Sequence, residues 1–320
     1  MEILATRAEH LVHLRFQHTG GFPSFDLFNG RLPRLERLDL APGWRPSVAL
    51  DAPRLHSLEL NRSNDLLDLK SALPVARIRT LRFSGSTSGH HLASFERLTS
   101  MLSIQTNDPP TLHPVPPPAL RSLETWHVEL PSFRKLVPHT VTVNFFGRFR
   151  TPALNALHIR RLTSAEGLGT DLLRRSECEL LTLVLEDPRI SSTDILTIFP
   201  ATPSLHTLAI ISGEKDVLQD DFFTALTLQS DPLTHLLPQL QNFRVDGTFE
   251  FTTDTLLAML ESRSSPESAQ TARLCNIELR LRDRVLPTGE LQALIELSGT
   301  VSVQYLAGNS VNLAVRVTFG

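Results

Sequence analysis

The chain is poor in cysteine: its 320 residues hold only Cys178 and Cys275. That excludes a disulfide framework, and the lack of any Cys-x-x-Cys pair excludes the common zinc sites. A reduced, intracellular protein is expected, cytoplasmic or nuclear. Long apolar runs are missing too. No stretch approaches the roughly 18 residues that a membrane-crossing helix needs, so no membrane partner is expected. The first ten residues include Glu2, Arg7 and Glu9 where a secretory leader needs an apolar core. A surplus of either charge is lacking as well. The formal net charge is −3, with no long run of one sign, whereas nucleic-acid binders usually carry a basic surplus or stripe. No nucleic-acid partner is expected. The phosphate-binding patterns GxxxxGK[ST] and GxGxxG are also absent, and no cofactor is implied.

What the chain does have is a repeat, apolar-x-x-apolar-x-apolar. It runs through Leu11/Leu14/Phe16, Leu35/Leu38/Leu40, Leu55/Leu58/Leu60 and Ile78/Leu81/Phe83. It returns at Leu154/Leu157/Ile159, Leu180/Leu183/Leu185, Leu205/Leu208/Ile210, Leu240/Phe243/Val245 and Leu274/Ile277/Leu279. Weaker copies lie at 98–104, at Leu120/Leu123 and at Val141/Val143/Phe145. The last two apolar residues of each copy are two apart, so they share one side of a strand. One copy cannot bury that side alone, whereas stacked copies form a parallel sheet over one core. Proline often stands two residues before the first apolar position, as at Pro33, Pro53, Pro152, Pro203 and Pro238. Its fixed φ ends the outer segment and delivers the chain into the strand.

The fold class this predicts is α/β, a leucine-rich-repeat solenoid over residues 1–320. The parallel sheet lies on the concave side, with helices and turns on the convex side. Residues 1–10 form a partial cap, and 300–320 form a strand hairpin about Gly308-Asn309. Helices are expected to open at Thr193-Asp194, Asp220-Asp221, Thr253-Asp254 and Thr288. The Pro-rich stretch 109–118 reads as a loop between repeats.

Chemistry has little to stand on. Gly85-Ser86-Thr87-Ser88-Gly89 resembles a nucleophile elbow, but the elbow belongs to a hydrolase sheet that the repeat denies. His90, His91 and Glu96 lack metal-ligand spacing, so no metal is expected. The reading is a non-enzymatic scaffold that binds another protein. Its binding residues are sought beside the inward pairs, on the concave face: Arg37, Asp39, Glu59, Arg82, His158, Arg160, Arg244 and Arg280. Arginine is enriched in binding hot spots, which singles out Arg37, Arg82, Arg160 and Arg244. The competing reading is a structural array with no dedicated partner.

Leu32-Pro33-Arg34-Leu35-Glu36-Arg37-Leu38-Asp39-Leu40, Thr202 to Leu208 and Leu236 to Phe243 with the helix from Thr253 to Arg263 carry a resemblance. They resemble the repeat half of fungal F-box/leucine-rich-repeat proteins. The resemblance implies that the repeats select a substrate for a cullin-type ubiquitin ligase whose adaptor docks on an F-box. No Leu-Pro-x-Glu start of an F-box stands in the ten residues before the first repeat, so a cullin adaptor is a partner only if an F-box lies upstream.

Overall fold

The computed structural model describes residues 10–16, 30–40, 49–61, 72–84, 92, 94–104, 120–130, 146, 149–212, 218–229, 235–248, 250–264, 271–282, 289, 292–293, 296, 300–306 and 312–318. The chain divides into two compact units. The first comprises residues 1–137, 144–154 and 176–178; the second comprises 138–143, 155–175 and 179–320.

Among the described residues the first unit holds six strands: β1 (His13–Arg15), β2 (Arg37–Leu40), β3 (Ser57–Asn61), β4 (Thr80–Ser84), β5 (Ser100–Ile104) and β6 (Thr125–Glu129). They pair in parallel and in chain order, with Leu38 opposite Leu58 and Leu58 opposite Leu81. A short turn feeds each strand from β2 to β6. Leu35, Leu55, Ile78, Leu98 and Leu123 each donate a backbone N–H to the carbonyl three residues back. Pro33 and Pro53 stand second in their turns, where a fixed φ suits the bend. Proline's role is therefore to set a hydrogen-bonded turn as well as to end the outer segment. Among the described residues, the connection that leads into β4 holds a 3-10 turn, Val75–Arg77.

Inward residues such as Leu38, Leu40, Leu58, Leu81 and Phe83 are buried. The weak copies differ from the aliphatic pattern. In β5 the inward pair is Met101 and Ser103, and in β6 it is Trp126 and Val128. Trp126 is fully buried, and its indole N–H donates to Ser103 Oγ at 3.2 Å. The serine thus satisfies a donor that would cost about 1–3 kcal/mol if left unpaired. Phe146 and Phe149 meet the indole edge-on, with ring centres 6.0 and 5.0 Å away. The expected copy at Val141/Val143/Phe145 lies outside the described residues.

The second unit holds β7 (Ala156–Arg160), β8 (Thr182–Glu186), β9 (Thr207–Ser212), β10 (Asn242–Gly247) and β11 (Asn276–Arg282), again parallel and in chain order. Two further strands, β12 (Thr300–Leu306) and β13 (Asn312–Thr318), form the expected hairpin. Its second strand pairs antiparallel with β11, so the order ends β11-β13-β12. The turn at Gly308-Asn309 and the loop 109–118 lie outside the described residues. Among the described residues the two units hold eleven parallel strands and few helices, so the fold is α/β, a repeated succession of strand and return.

Helices fill the longer returns of this unit: α1 (Ser192–Leu196), α2 (Asp220–Leu226) and α3 (Thr253–Ser264). The helix expected from Thr288 appears at 289, 292–293 and 296, the rest lying outside the described residues. The start of α1 departs from expectation. Ser191 is its cap, not Thr193-Asp194. Ser191 accepts from the Asp194 N–H while Asp194 reaches back to the Ser191 N–H, a capping box. The return between β7 and β8 holds a π-helix, Gly167–Arg174, which no apolar spacing announced.

The pair Asp220-Asp221 does more than begin α2. Asp221 accepts from Ser192 Oγ of α1 at 2.7 Å, and Asp220 accepts from the Thr252 N–H and Thr255 Oγ1 at α3 at 2.6 and 2.7 Å. Two adjacent acids thereby tie three successive returns. At the far end of α3, Arg263 is fully buried and donates to the carbonyls of Leu226, Leu237 and Leu236 at 2.7, 3.0 and 2.6 Å. Leu237 has φ 51° and precedes Pro238, a backbone disfavoured on both counts. The guanidinium fork holds that turn in place.

Candidate functional site

In the parallel strands the residues that alternate with the apolar pair face away from the core, and the parallel register sets these outward residues in columns. In the first unit the columns meet in a chain of ion pairs. Asp39 accepts from His13 Nε2 at 3.0 Å and Arg37 Nε at 2.9 Å. Arg37 also donates to Glu59 Oε2 at 2.9 Å, and Arg82 stands 3.8 Å from the other Glu59 oxygen. Asp39 is buried although it faces outward. Burial works to raise its pKa, but the hydrogen bonds from Arg37 and His13 outweigh it and hold the carboxyl below its ordinary range. Arg37 is correspondingly raised, chiefly by its hydrogen bond to Asp39.

The second unit carries two such clusters with an apolar strip between them. On β7 and β8, Glu186 pairs with His158 at 3.1 Å and with Arg160 at 3.2 Å. On β10 and β11, Arg244 donates to Asp246 at 3.1 Å and Arg280 pairs with Glu278 at 2.6 Å. Arg282 donates to the second Asp246 oxygen at 3.1 Å. Between these clusters Val184 on β8 lies opposite Ala209 on β9, with Ile211 two residues further along. One edge of the face is lined by amides: Asn276 donates to Asn242 at 2.8 Å, and Asn242 donates to Thr207 at 3.3 Å.

All eight residues expected at a binding face point outward from their strands, and within each unit they meet one another or near neighbours. Arg37, Asp39, Glu59 and Arg82 form one connected set in the first unit. In the second, His158 and Arg160 form one set and Arg244 and Arg280 another. Each arginine singled out for a hot spot is engaged by a carboxylate of its own chain. The arginines are a third to a half exposed, so each pair contributes at most about 1 kcal/mol to stability. The pairs serve to hold the guanidinium groups in fixed orientation. Sequence reasoning missed Glu186, Asp246 and Ile211. They lie one step further along the same alternation, and extending each strand by two residues would have found them.

Cys178 is half-buried, and burial pushes its thiol up to about 11. It is therefore protonated and unreactive at neutral pH. Gly85 to Gly89, His90 and His91 lie outside the described residues. Among the described residues no helix is long and apolar enough to cross a membrane. No family model matches the chain, and no curated protein matches it.

Proposed function

We propose that the protein is a leucine-rich-repeat scaffold, not an enzyme, that binds another protein on the outward strand face of its second unit. One observation carries the reading: the strip Val184, Ala209 and Ile211 lies between two oriented ion-pair clusters. An apolar centre within a polar rim is the anatomy of protein–protein interfaces. Arg160, Arg244 and Arg280 are already oriented by their carboxylates, so less side-chain freedom is lost on binding. The resemblance to the repeat half of F-box proteins supports a substrate-recognition role for the same face.

The test is affinity capture from source cells with the native chain and a Val184→Glu/Ile211→Asp variant. Val184 and Ile211 are partly exposed on the outward face, so the variant is expected to keep its circular dichroism and lose the partner. A partner retained at full yield by the folded variant would sink the strand-face reading. The ligase role is tested separately: a version extended upstream in the gene is expected to capture a cullin adaptor, and its failure would leave a scaffold of another kind.

A further inference from the structure

The strand-face arginines are tied to carboxylates; among the described residues, a second set in the first unit is not. The turns that lead into β2, β3, β4 and β5 carry arginine at one equivalent place. Arg34, Arg54, Arg77 and Arg97 each stand three residues before the register-paired Arg37, Ser57, Thr80 and Ser100. All four are exposed. Arg77 donates to the Pro53 carbonyl at 3.1 Å, which leans it toward the preceding turn. Among the described residues, Arg34, Arg54, Arg79 and Arg97 make no ion pair. A cleft of about 860 Å³ opens along this edge, with Arg54, His56, Arg77, Arg79 and Arg97 in its lining. Glu36 and Glu96 line it too, beside Pro53 and Ala76.

We infer that this turn edge docks an acidic helical segment of a partner protein. Neighbouring strands are about 4.8 Å apart, so the arginine column rises in steps of that size. A helix repeats every 5.4 Å or about that, and carboxylates at i, i+4 and i+7 share one side of it. Over three or four steps the two spacings keep each carboxylate within reach of a guanidinium fork, which takes it bidentately. Pro53 and Ala76 are exposed and apolar, and offer contact to an apolar residue of the helix. Glu36 and Glu96 interrupt the positive charge. They repel a continuous phosphate backbone, whereas a helix of mixed charge can set lysines against them. This edge lies in the first unit and is separate from the strip on the second.

Fluorescence anisotropy with a labelled, alanine-based helical peptide tests the inference. The peptide carries glutamates at i, i+4, i+7 and i+11, and a control carries the same glutamates scattered around the helix. The in-register peptide is expected to bind more tightly than the control and to weaken as salt rises. Arg54→Glu/Arg97→Glu leaves the Arg77 hydrogen bond intact and is expected to weaken binding at least about tenfold. Val184→Glu/Ile211→Asp is expected to leave the peptide affinity unchanged, which separates this edge from the strand face. Three results would each overturn the inference: no binding by the native chain, equal binding of the two peptides, or equal binding by the folded arginine variant. A single-stranded oligothymidine that binds more tightly than the in-register peptide would overturn it in favour of a nucleic-acid edge.

Discussion

Arg263 shows how much one side chain can hold. Its burial pushes the guanidinium pKa down to about 10, so it remains charged at neutral pH. Three backbone carbonyls take the place of a counter-ion: one at the end of α2, and two in the strained turn before β10. Arg263→Met removes these donors and leaves the carbonyls facing apolar side chains. The expected cost is about 3 kcal/mol or more, read from the urea midpoint followed by circular dichroism. Arg263→Lys keeps the charge but not the planar fork, and is expected to fall between native and Met. A loss no greater than that of an exposed arginine would mean that the turn holds itself. None of this was legible beforehand. An arginine in the last turn of a helix ordinarily reads as solvated and favourable to the dipole, and only the packing of the neighbouring repeat shows otherwise.

Among the elements, the strands were the most legible and the helix starts the least. Strands follow from an alternation that has to face a common core, so Leu38/Leu40 or Leu183/Leu185 announce themselves. The pattern is only weak at β5 and β6 because the core there is not purely aliphatic: a serine and an indole complete each other's hydrogen bond. Helix starts depend on a few hydrogen bonds among Ser, Thr and Asp, and Ser191, Ser192, Thr193 and Asp194 offer several choices. The structure selects Ser191. Ser191→Ala is therefore expected to destabilise by about 1 kcal/mol, and Thr193→Ala by clearly less, in paired chemical-denaturation curves. The reverse order would return the cap to Thr193. The candidate binding residues were legible as positions, since they alternate with the core. Their partners were not, because ion pairs between residues 22 to 28 apart, such as Arg37 with Glu59 and His158 with Glu186, require the register.

At the scale of the whole molecule, parallel stacking within each unit leaves its interior strands bonded on both sides, and protection against exchange follows from that. β8 lies between β7 and β9 within the second unit, and its Leu183 and Leu185 are fully buried. β1 begins the order of the first unit, pairs with β2 through three residues, and leaves Leu14 9% exposed. Amide hydrogens of His13 to Arg15 are expected to exchange roughly tenfold faster or more than those of Thr182 to Glu186. Equal rates in hydrogen-exchange mass spectrometry would reveal a cover over β1. The indole that completes the core of β5 and β6 has a different use. The chain has two tryptophans, Trp44 and Trp126, so Trp44→Phe leaves a single indole, shielded from water and bonded to Ser103. Excited at wavelengths that tyrosine does not absorb, its short-wavelength fluorescence, shielded from dissolved quenchers, would be an intrinsic optical gauge of the first unit alone, free of signal from Tyr305 in the second.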